Sequence, residues 1–433
     1  MTFNQTDKQT LALNMMKDGK NIFVSGPAGS GKTFIIKNFI DYYRENNETE
    51  NSKIYVTSTT GLSSLLIDGM TIHRYSGIGL GNKDIETHFK KINKFPNLRK
   101  RWIETKVLII DEISMLNPDL FDKLEILARK IRKIDKPFGG IQIILSGDFL
   151  QLRAVNSNSF CFESFSWDIV IDKTIYLDKI VRQNDPKLQN ILNNIRIGIV
   201  NDEVKELLNS CLNKTLENKD GIIPTLLYSK KDMVLEHNND ELEKLINSGL
   251  ENHKYNAYYE YSKNITEDSK NFYKEMLDTQ YQVDNEITFA INNQVMLTVN
   301  KPEYNLANGS RGIIVNFCMK DGIVLPVVKF LNSVLLTINY HEYIIDENRH
   351  NVKKMQIPLI HSWAMTIHKA QGMTLEFLKT DIGSSIFEYG QAYVVLSRIK
   401  NIEGLSLMNI DYSKIKAHPK ILKYYENLNK LCA

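Results

Sequence analysis

The stretch Gly26-Pro27-Ala28-Gly29-Ser30-Gly31-Lys32-Thr33 decides the fold. It fits the pattern G-x-x-x-x-G-K-[ST] at every fixed position. An apolar run at 22–24 before it predicts a buried strand, and the run at 34–40 predicts an amphipathic helix. A glycine-rich loop between strand and helix points successive N–H groups at an anion, and the helix N-terminus adds partial positive charge. The pattern predicts a nucleoside triphosphate site, in which Lys32 reaches the β- and γ-phosphates and Thr33 binds Mg²⁺.

Size and composition limit the function classes. With 433 residues, of which 42% are hydrophobic, the chain is long enough for two or three domains with sizeable cores. No run is long and apolar enough to span a membrane, and residues 1–5 do not begin a secretory signal, so we expect an intracellular protein. If the source is a prokaryote, the compartment would be the cytoplasm or nucleoid. The formal net charge is only +3, so a groove for nucleic acid would have to be a local basic patch. A zinc site or disulfide framework is not expected, because the four cysteines lie far apart: Cys161, Cys211, Cys318 and Cys432.

Two adjacent acids follow the next strong strand signal. The apolar run 107–110 predicts a buried parallel strand, and Asp111 and Glu112 come directly after it. At that edge of the sheet they would lie beside the phosphate loop. We expect Asp111 to hold Mg²⁺ through water, and Glu112 to orient and deprotonate the attacking water.

Four other polar residues have two local interpretations each. Gln9 is either a nucleotide contact or a solvent-facing helical residue, and His73 is either a ligand contact or a structural histidine. Gln151, just past a predicted strand, either touches the γ-phosphate or bonds to loop backbone. Arg398 follows a predicted strand at 393–396, and it either reaches a γ-phosphate or begins a helix and pairs with a local acid.

The stretch 82–104 combines basic and aromatic residues. Seven lysines and arginines surround Phe89 and Phe95. Such a stretch can follow a phosphate backbone and stack on a base. It can equally be a solvated helix face with two core aromatics.

The order of the predicted elements indicates the architecture. Strands separated by helices predict a parallel sheet with helices on both faces, and this pattern restarts near residue 172. Residues 248–285 are polar and are predicted to form a surface segment that is partly helical. Short strand-like runs at 287–345 predict a small β-barrel, and residues 357–398 return to an α/β pattern.

Taken together, the motifs carry a family resemblance. They are GPAGSGKT, TSTTGLSSLLIDGMTIHRYSGIG, DEISM, GDFLQL, LDKIVRQ, ANGSRG, TIHKAQGMTL and YVVLSR. In this order and spacing the chain resembles the PIF (petite integration frequency) family of superfamily 1B DNA helicases, which are similar to RecD. The resemblance covers about residues 3–425 and is poor at 248–285.

The resemblance implies a two-domain α/β fold. It implies two RecA-like P-loop domains with parallel sheets, at 1–171 and 172–433. The first would carry a small wedge insert at about 77–103, and the second an SH3-like β-barrel insert at about 298–355.

The resemblance also implies roles for individual residues. Those with catalytic roles are Lys32, Glu112, Gln151, Arg182 and Arg398, the two arginines acting as arginine fingers from the second domain. Those that bind ATP are Gln9, Gly26, Pro27, Ala28, Gly29, Ser30, Gly31, Lys32, Thr33 and Gly372, with Gln9 reading the adenine edge. Those that hold Mg²⁺ are Thr33 and Asp111. Those that line the path of single-stranded DNA are Thr59, His73, Thr366 and His368.

The implied activity is ATP-dependent translocation 5′→3′ on single-stranded DNA with unwinding of duplex DNA, in DNA replication, repair or recombination. The implied partners are single-stranded DNA and forked or tailed duplexes, with no membrane, and the protein would act as a monomer on DNA. Two other classes share the phosphate loop. A P-loop kinase would hydrolyse ATP independently of DNA, and a nucleotide-gated DNA-binding switch would lack multiple turnover.

Overall fold

A computed structural model describes residues 6–46, 53–79, 81–154, 157–183, 185–216, 221–262, 265–281, 283–347 and 350–432. Residues 1–5, on which the intracellular prediction rests, lie outside this range. Contacts divide the chain into two compact units. Unit 1 comprises Met1–Glu206, Phe387–Lys400 and Tyr412–Ala433, and unit 2 comprises Leu207–Ile386 and Asn401–Asp411. The two units are defined by contacts, whereas the predicted domain boundary between residues 171 and 172 was placed where the α/β pattern restarts. That boundary stays a prediction.

The N-terminal half of the chain alternates strands and helices. Its strands are β1 (Ile22–Ser25), β2 (Lys53–Ser58), β3 (Met70–Thr71), β4 (Thr105–Asp111), β5 (Gln142–Gly147) and β6 (Lys173–Tyr176). Its helices are α1 (Asp7–Lys17), α2 (Lys32–Asn46), α3 (Gly61–Leu66), α4 (Ile72–Ser76), α5 (Ile85–Lys94), α6 (Pro96–Glu104), α7 (Pro118–Arg132), α8 (Trp167–Val170), α9 (Pro186–Arg196) and α10 (Asp202–Ser210). Among the described residues, no helix of the chain is long and apolar enough to cross a membrane.

The six strands form one parallel sheet in the order β3-β2-β4-β5-β1-β6. Alternate residues of a strand point to opposite faces, and here both faces are apolar. On β1, Ile22 and Val24 pack into one core with α1 and α2, whereas Phe23 packs into a second core with α7. Burial on both faces explains the continuous apolar runs, and it confirms the predicted α/β class with helices on both faces.

The rest of the chain is richer in strands. These are β7 (Thr225–Tyr228), β8 (Asn252–Asn256), β9 (Tyr258–Tyr261), β10 (Glu286–Ala290), β11 (Gln294–Leu297), β12 (Arg311–Lys320), β13 (Ile323–Phe330), β14 (Leu335–Thr337), β15 (His341–Glu347), β16 (His350–Gln356), β17 (Leu359–His361), β18 (Ala364–Thr366), β19 (Leu378–Ile382) and β20 (Leu405–Ile410). The helices are α11 (Lys231–Asn247), α12 (Glu267–Tyr281), α13 (Ile367–Ala370), α14 (Gln391–Leu396) and α15 (Pro419–Cys432).

Unit 2 contains a second parallel sheet, in the order β18-β7-β19-β20. An antiparallel sheet of order β14-β13-β12-β11-β17 and a three-stranded sheet β15-β16-β9 hold the short strands expected after residue 287. Whether these form an SH3-like barrel at 298–355 stays a prediction. The polar segment 248–285 contains strands β8 and β9 as well as helix α12, so the expectation of a partly helical segment missed its strands.

One predicted element was wrong. The apolar run 393–396 was expected to be a strand, but it lies in helix α14. All six residues of α14 are buried, so its sequence has no polar face. A short apolar run of this kind cannot be distinguished from a buried strand by periodicity.

A buried ion pair joins distant segments of unit 1. The guanidinium of Arg196 at the end of α9 donates to both carboxylate oxygens of Asp148, at 2.9 and 2.7 Å. The exposed fractions of the two side chains are 6% and 0%. Arg196 also donates to the hydroxyl of Tyr176, and the Tyr425 hydroxyl of α15 donates to Asp148 and bonds the Ser25 hydroxyl at 2.7 Å. Segments that are far apart in sequence thus meet at the end of β1.

We expect Arg196→Met to destabilise unit 1 by ~3–5 kcal/mol, because it leaves the carboxylate of Asp148 buried without its partner. Urea denaturation, followed by the fluorescence of Trp102 and Trp167, measures the change. Adding Asp148→Asn should recover part of the loss, since the double variant no longer buries a lone charge.

The matched control is Lys8→Met, which breaks the exposed pair between Lys8 and Asp178. Exposed pairs contribute ~0–1 kcal/mol. Equal losses in the Lys8 and Arg196 variants would contradict the importance given to the buried pair.

Candidate nucleotide site

The phosphate loop connects β1 to α2 as the sequence predicted. Three of its glycines have positive φ angles: Gly26 at 150°, Gly29 at 79° and Gly31 at 88°. Space is also limiting, since a Cβ at Gly29 would lie 2.5 Å from the Cβ of Arg182. Position 29 therefore requires glycine for two reasons: its left-handed backbone conformation and the close approach of Arg182.

Gln9, in α1, also contacts the phosphate loop. Its amide nitrogen donates to the carbonyl of Ser30 at 3.0 Å, and its amide oxygen accepts from the N–H of Thr6 at 3.0 Å. The residue is 4% exposed, which rules out the solvent-facing alternative. A role of Gln9 in reading the adenine edge stays a prediction.

Lys32 lies among the carboxylates of the site. Its ammonium donates to the carbonyl oxygens of Gly26 and Pro27, at 2.7 and 3.0 Å. Burial lowers the pKa of Lys32, while Asp148, Glu112 and Asp111 act to raise it. The acids that follow β4 and β5 are thus electrostatic neighbours of the phosphate-loop lysine.

The two acids at the end of β4, Asp111 and Glu112, differ in their surroundings. Asp111 is 6% exposed, and burial raises its pKa while the N–H of Glu112, which donates to it at 3.0 Å, acts in the opposite direction. Glu112 has a left-handed backbone, with φ 54° and ψ 43°. Its carbonyl accepts from the hydroxyl of Thr59 at 3.1 Å. A non-glycine residue in this conformation is held by its surroundings, as is common at functional sites.

Two arginines approach the loop. The Arg182 N–H donates to the carbonyl of Gly29 at 3.2 Å, and its guanidinium donates to the carbonyl of Ser397 at 3.1 Å. Arg398 is 1% exposed and donates to the carbonyl of Val394 and to the hydroxyl of Ser397. Burial, and then the like charge of Arg182, lowers the pKa of Arg398 to about 9. Arg398 follows helix α14, so the alternative in which it begins a helix was wrong.

Gln151 is 5% exposed. Its main-chain N–H donates to the carbonyl of Asp148 at 3.0 Å, and its amide nitrogen lies 3.5 Å from a carboxylate oxygen of the same residue. The side chain therefore lies at a carboxylate rather than at loop backbone.

The residues predicted to line a DNA path fall in both units. In unit 1, Thr59 bonds Glu112, and His73 bonds the carbonyl of Gly79 at 2.7 Å; burial lowers the pKa of His73. In unit 2, Thr366 caps α13 by accepting from the N–H of Lys369. His368 and Gly372 also lie in unit 2, and their predicted roles stay predictions.

The basic and aromatic stretch 82–104 forms helices α5 and α6. Phe89 and Phe95 are half-buried against the core of unit 1, and Trp102 is fully buried. The aromatics therefore serve the core, as one of the two alternatives expected. The wedge at 77–103 stays a prediction.

Sequence reasoning missed one direct contact to the loop. The N–H of Ala28 donates to the hydroxyl of Tyr393 at 2.8 Å, and Tyr393 is 2% exposed. Tyr393 begins the YVVLSR motif, but nothing in the sequence assigns its side chain a contact with the loop, since it starts an apolar run. Asp148 had a signal that was not used: it directly follows the buried strand β5, as Asp111 ends the buried strand β4 at the same edge of the sheet.

Comparisons with known proteins agree with this geometry. The family model described as PIF1-like helicase matches residues 4–209. The ATP-dependent DNA helicase PIF1 of Xenopus laevis is 36% identical over 429 residues, which are 98% of this chain and 64% of that protein. The ATP-dependent DNA helicase RRM3 of Saccharomyces cerevisiae is 34% identical over 505 residues, with 98% of this chain and 68% of that protein covered. The chain belongs to the PIF1-like helicase family.

A solved structure extends the likeness to the fold. The crystal structure of Pif1 helicase from Candida albicans matches with a TM-score of 0.84 at 31% identity, and the match covers 99% of this chain and 100% of that one. This PIF1-like chain spans about two thirds of the length of the curated relatives named here.

We expect Gly29→Ala to weaken nucleotide binding by at least about tenfold, because the added Cβ must displace the loop or the Arg182 segment. Titration with a fluorescent ADP analogue measures the dissociation constant.

Gly19→Ala is the matched control. Gly19 has φ 76° but no atom within 4 Å of an added Cβ. Both variants carry the same backbone strain, of ~1 kcal/mol. Gly19 lies between α1 and β1, outside the phosphate loop, so its variant tests the same strain without the close approach. Equal nucleotide affinities in the two variants would contradict the importance given to the contact with Arg182.

Proposed function

We propose that this chain is an ATP-dependent DNA helicase that moves 5′→3′ along single-stranded DNA and unwinds forked or tailed duplexes. The relatives named above are ATP-dependent DNA helicases, which supports the reaction class. The observation that carries the proposal is the pair of arginines at the phosphate loop. Arg398 is buried, and the charge of Arg182 lowers its pKa. Two like charges held close together, of which that of Arg398 is fully buried, favour a further anion in addition to Glu112, and the γ-phosphate of ATP has the required charge.

The residues at the loop fit ATP together with Mg²⁺. Burial raises the pKa of Asp111, so a nearby cation stabilises its ionised form. Asp111 and the hydroxyl of Thr33, in the first turn of α2, are the groups that would hold the metal ion. When bound, Mg²⁺ supplies positive charge at the phosphate oxygens.

The other side chains divide the chemistry of hydrolysis among them. Lys32 and the two arginines stabilise the negative charge that develops on the transferred phosphoryl group. Glu112 orients the attacking water and takes its proton, and Gln151 detects the loss of the γ-phosphate. Hydrolysis removes the group that makes these charge-assisted bonds, so ATP and ADP bind with different free energies. That difference drives the advance along the strand.

Thr59 links the DNA path to the catalytic acid. Its hydroxyl donates to the carbonyl of Glu112 at 3.1 Å. A strand of DNA that contacts Thr59 would act on the backbone that holds Glu112. Contacts of His73, Thr366 and His368 with DNA, an intracellular location and a monomeric state on DNA are also part of the proposal.

The test is ATP hydrolysis with and without single-stranded DNA, together with strand separation of two duplexes that carry either a 5′ or a 3′ tail. We expect strong stimulation by DNA and unwinding of the 5′-tailed duplex only. Stimulation without unwinding would overturn the helicase step and leave a translocase. Hydrolysis that is indifferent to DNA would overturn the proposal and favour a kinase-like role.

We expect Arg182→Ala to lower kcat by about 10³–10⁵, the range that arginine fingers contribute, while nucleotide is still bound. Glu112→Gln should likewise bind ATP without turning it over. DNA-stimulated phosphate release and fluorescent ADP titration measure the two quantities.

Arg44→Ala is the matched control, because Arg44 is exposed in the last turn of α2, at the opposite end of this helix from Lys32 and Thr33. It should keep the kcat of the unmodified protein. Normal turnover in Arg182→Ala would remove this residue from the catalytic set.

A further inference from the structure

A closed ring of contacts runs from the phosphate loop to the segment that carries Arg398. The Gly29 carbonyl accepts from the N–H of Arg182 at 3.2 Å, and the Arg182 guanidinium donates to the Ser397 carbonyl at 3.1 Å. The Ser397 N–H donates to the Tyr393 carbonyl at 2.9 Å. The Tyr393 hydroxyl then accepts from the N–H of Ala28 at 2.8 Å, and Ala28 is bonded covalently to Gly29. We call these five residues the loop ring.

One contact of the loop ring is made through a side-chain hydroxyl, that of Tyr393, and this hydroxyl bonds the loop itself. Tyr393 is 2% exposed, so water does not compete for the Ala28 N–H. Burial raises the pKa of Tyr393 to about 12, so the hydroxyl is neutral at physiological pH and accepts through a lone pair.

Arg398 is bonded to one residue of the loop ring, Ser397, and to a neighbouring residue of α14, Val394. Its guanidinium donates to the Ser397 hydroxyl at 2.8 Å and to the Val394 carbonyl at 2.9 Å. Both acceptors lie in or directly after the helix that carries Tyr393, so a shift of α14 relative to the loop moves Arg398 as well. A parallel connection runs through Gln183, whose amide donates to the carbonyl of Ile399 at 2.9 Å.

We propose that the Tyr393 hydroxyl is a positioning group for ATP hydrolysis: by holding the Ala28 N–H it keeps Arg398 in register with the phosphate loop. The inference rests on the proposed function, because it assigns Arg398 to the γ-phosphate. A group that acts only by alignment affects the transition state more than it affects the bound nucleotide. Nothing in the motif pattern distinguishes Tyr393 from its apolar neighbours, whereas its contact with the loop does.

The experiment compares Tyr393→Phe with the unmodified protein. The variant keeps the aromatic ring of the side chain and its packing, and it removes only the hydroxyl. We expect kcat with saturating single-stranded DNA to fall by about tenfold, while KM for ATP and the dissociation constant of a fluorescent ADP analogue change by less than about twofold. A kcat equal to that of the unmodified protein would overturn the inference, and so would a change confined to KM and the melting temperature.

The matched control is Tyr75→Phe. Tyr75 is also fully buried in unit 1, and its hydroxyl donates to the Thr105 hydroxyl at 2.9 Å, away from the loop ring. It should keep the kcat of the unmodified protein. A tenfold loss here too would show that any buried hydroxyl matters, which would overturn a specific role for Tyr393.

A second comparison tests whether Tyr393 acts through Arg398. In an Arg398→Ala background, adding Tyr393→Phe should lower kcat by no more than about twofold, because the group to be aligned is already gone. A further tenfold loss would overturn the positioning role. If the unmodified protein and Tyr75→Phe are both inactive with DNA, the proposed function itself fails, and the inference falls with it.

Discussion

The ion pair between Asp148 and Arg196 is the constraint on which the rest of the site depends. Both charges are removed from water, and such a pair is stable only when its geometry is good and its remaining hydrogen-bonding capacity is used. Here the guanidinium bonds both carboxylate oxygens, and Tyr176 and Tyr425 supply further bonds. Because Asp148 follows β5 and Tyr425 bonds Ser25 at the end of β1, the pair also fixes the base of the phosphate loop.

Three positively charged side chains belong to the same site: Lys32, Arg182 and Arg398. Arg398 is buried with the charge of Arg182 nearby, which lowers its pKa to about 9, and burial lowers the pKa of Lys32 as well. In each case the largest cause is the loss of water, and Glu112 opposes it. A site of this kind is preorganised: its dipoles and charges are oriented before the substrate arrives, so little reorganisation is required during the reaction.

The sequence predicted what depends on local pattern. The phosphate loop, the strands before it and before Asp111, and the α/β class follow from apolar periodicity and from glycines at fixed spacing. The contact of Tyr393 with Ala28 could not be predicted, because it joins residues 365 positions apart and its tyrosine lies in an apolar run. The prediction of a strand at 393–396 was wrong because this helix is buried on every side, so its sequence lacks the polar face that distinguishes a helix.

The backbone at Glu112 shows why two consecutive acids can serve one site. Consecutive residues of a strand point to opposite faces, so an extended β4 would separate the carboxylates of Asp111 and Glu112. Yet both act to raise the pKa of Lys32. The left-handed conformation of Glu112, with φ 54°, ends the alternation directly after Asp111, and it costs ~1–2 kcal/mol in a residue with a Cβ. The bond from Thr59 to the Glu112 carbonyl helps to hold this conformation. The left-handed backbone at Glu112 therefore ends the strand alternation between two acids that both act on the pKa of Lys32.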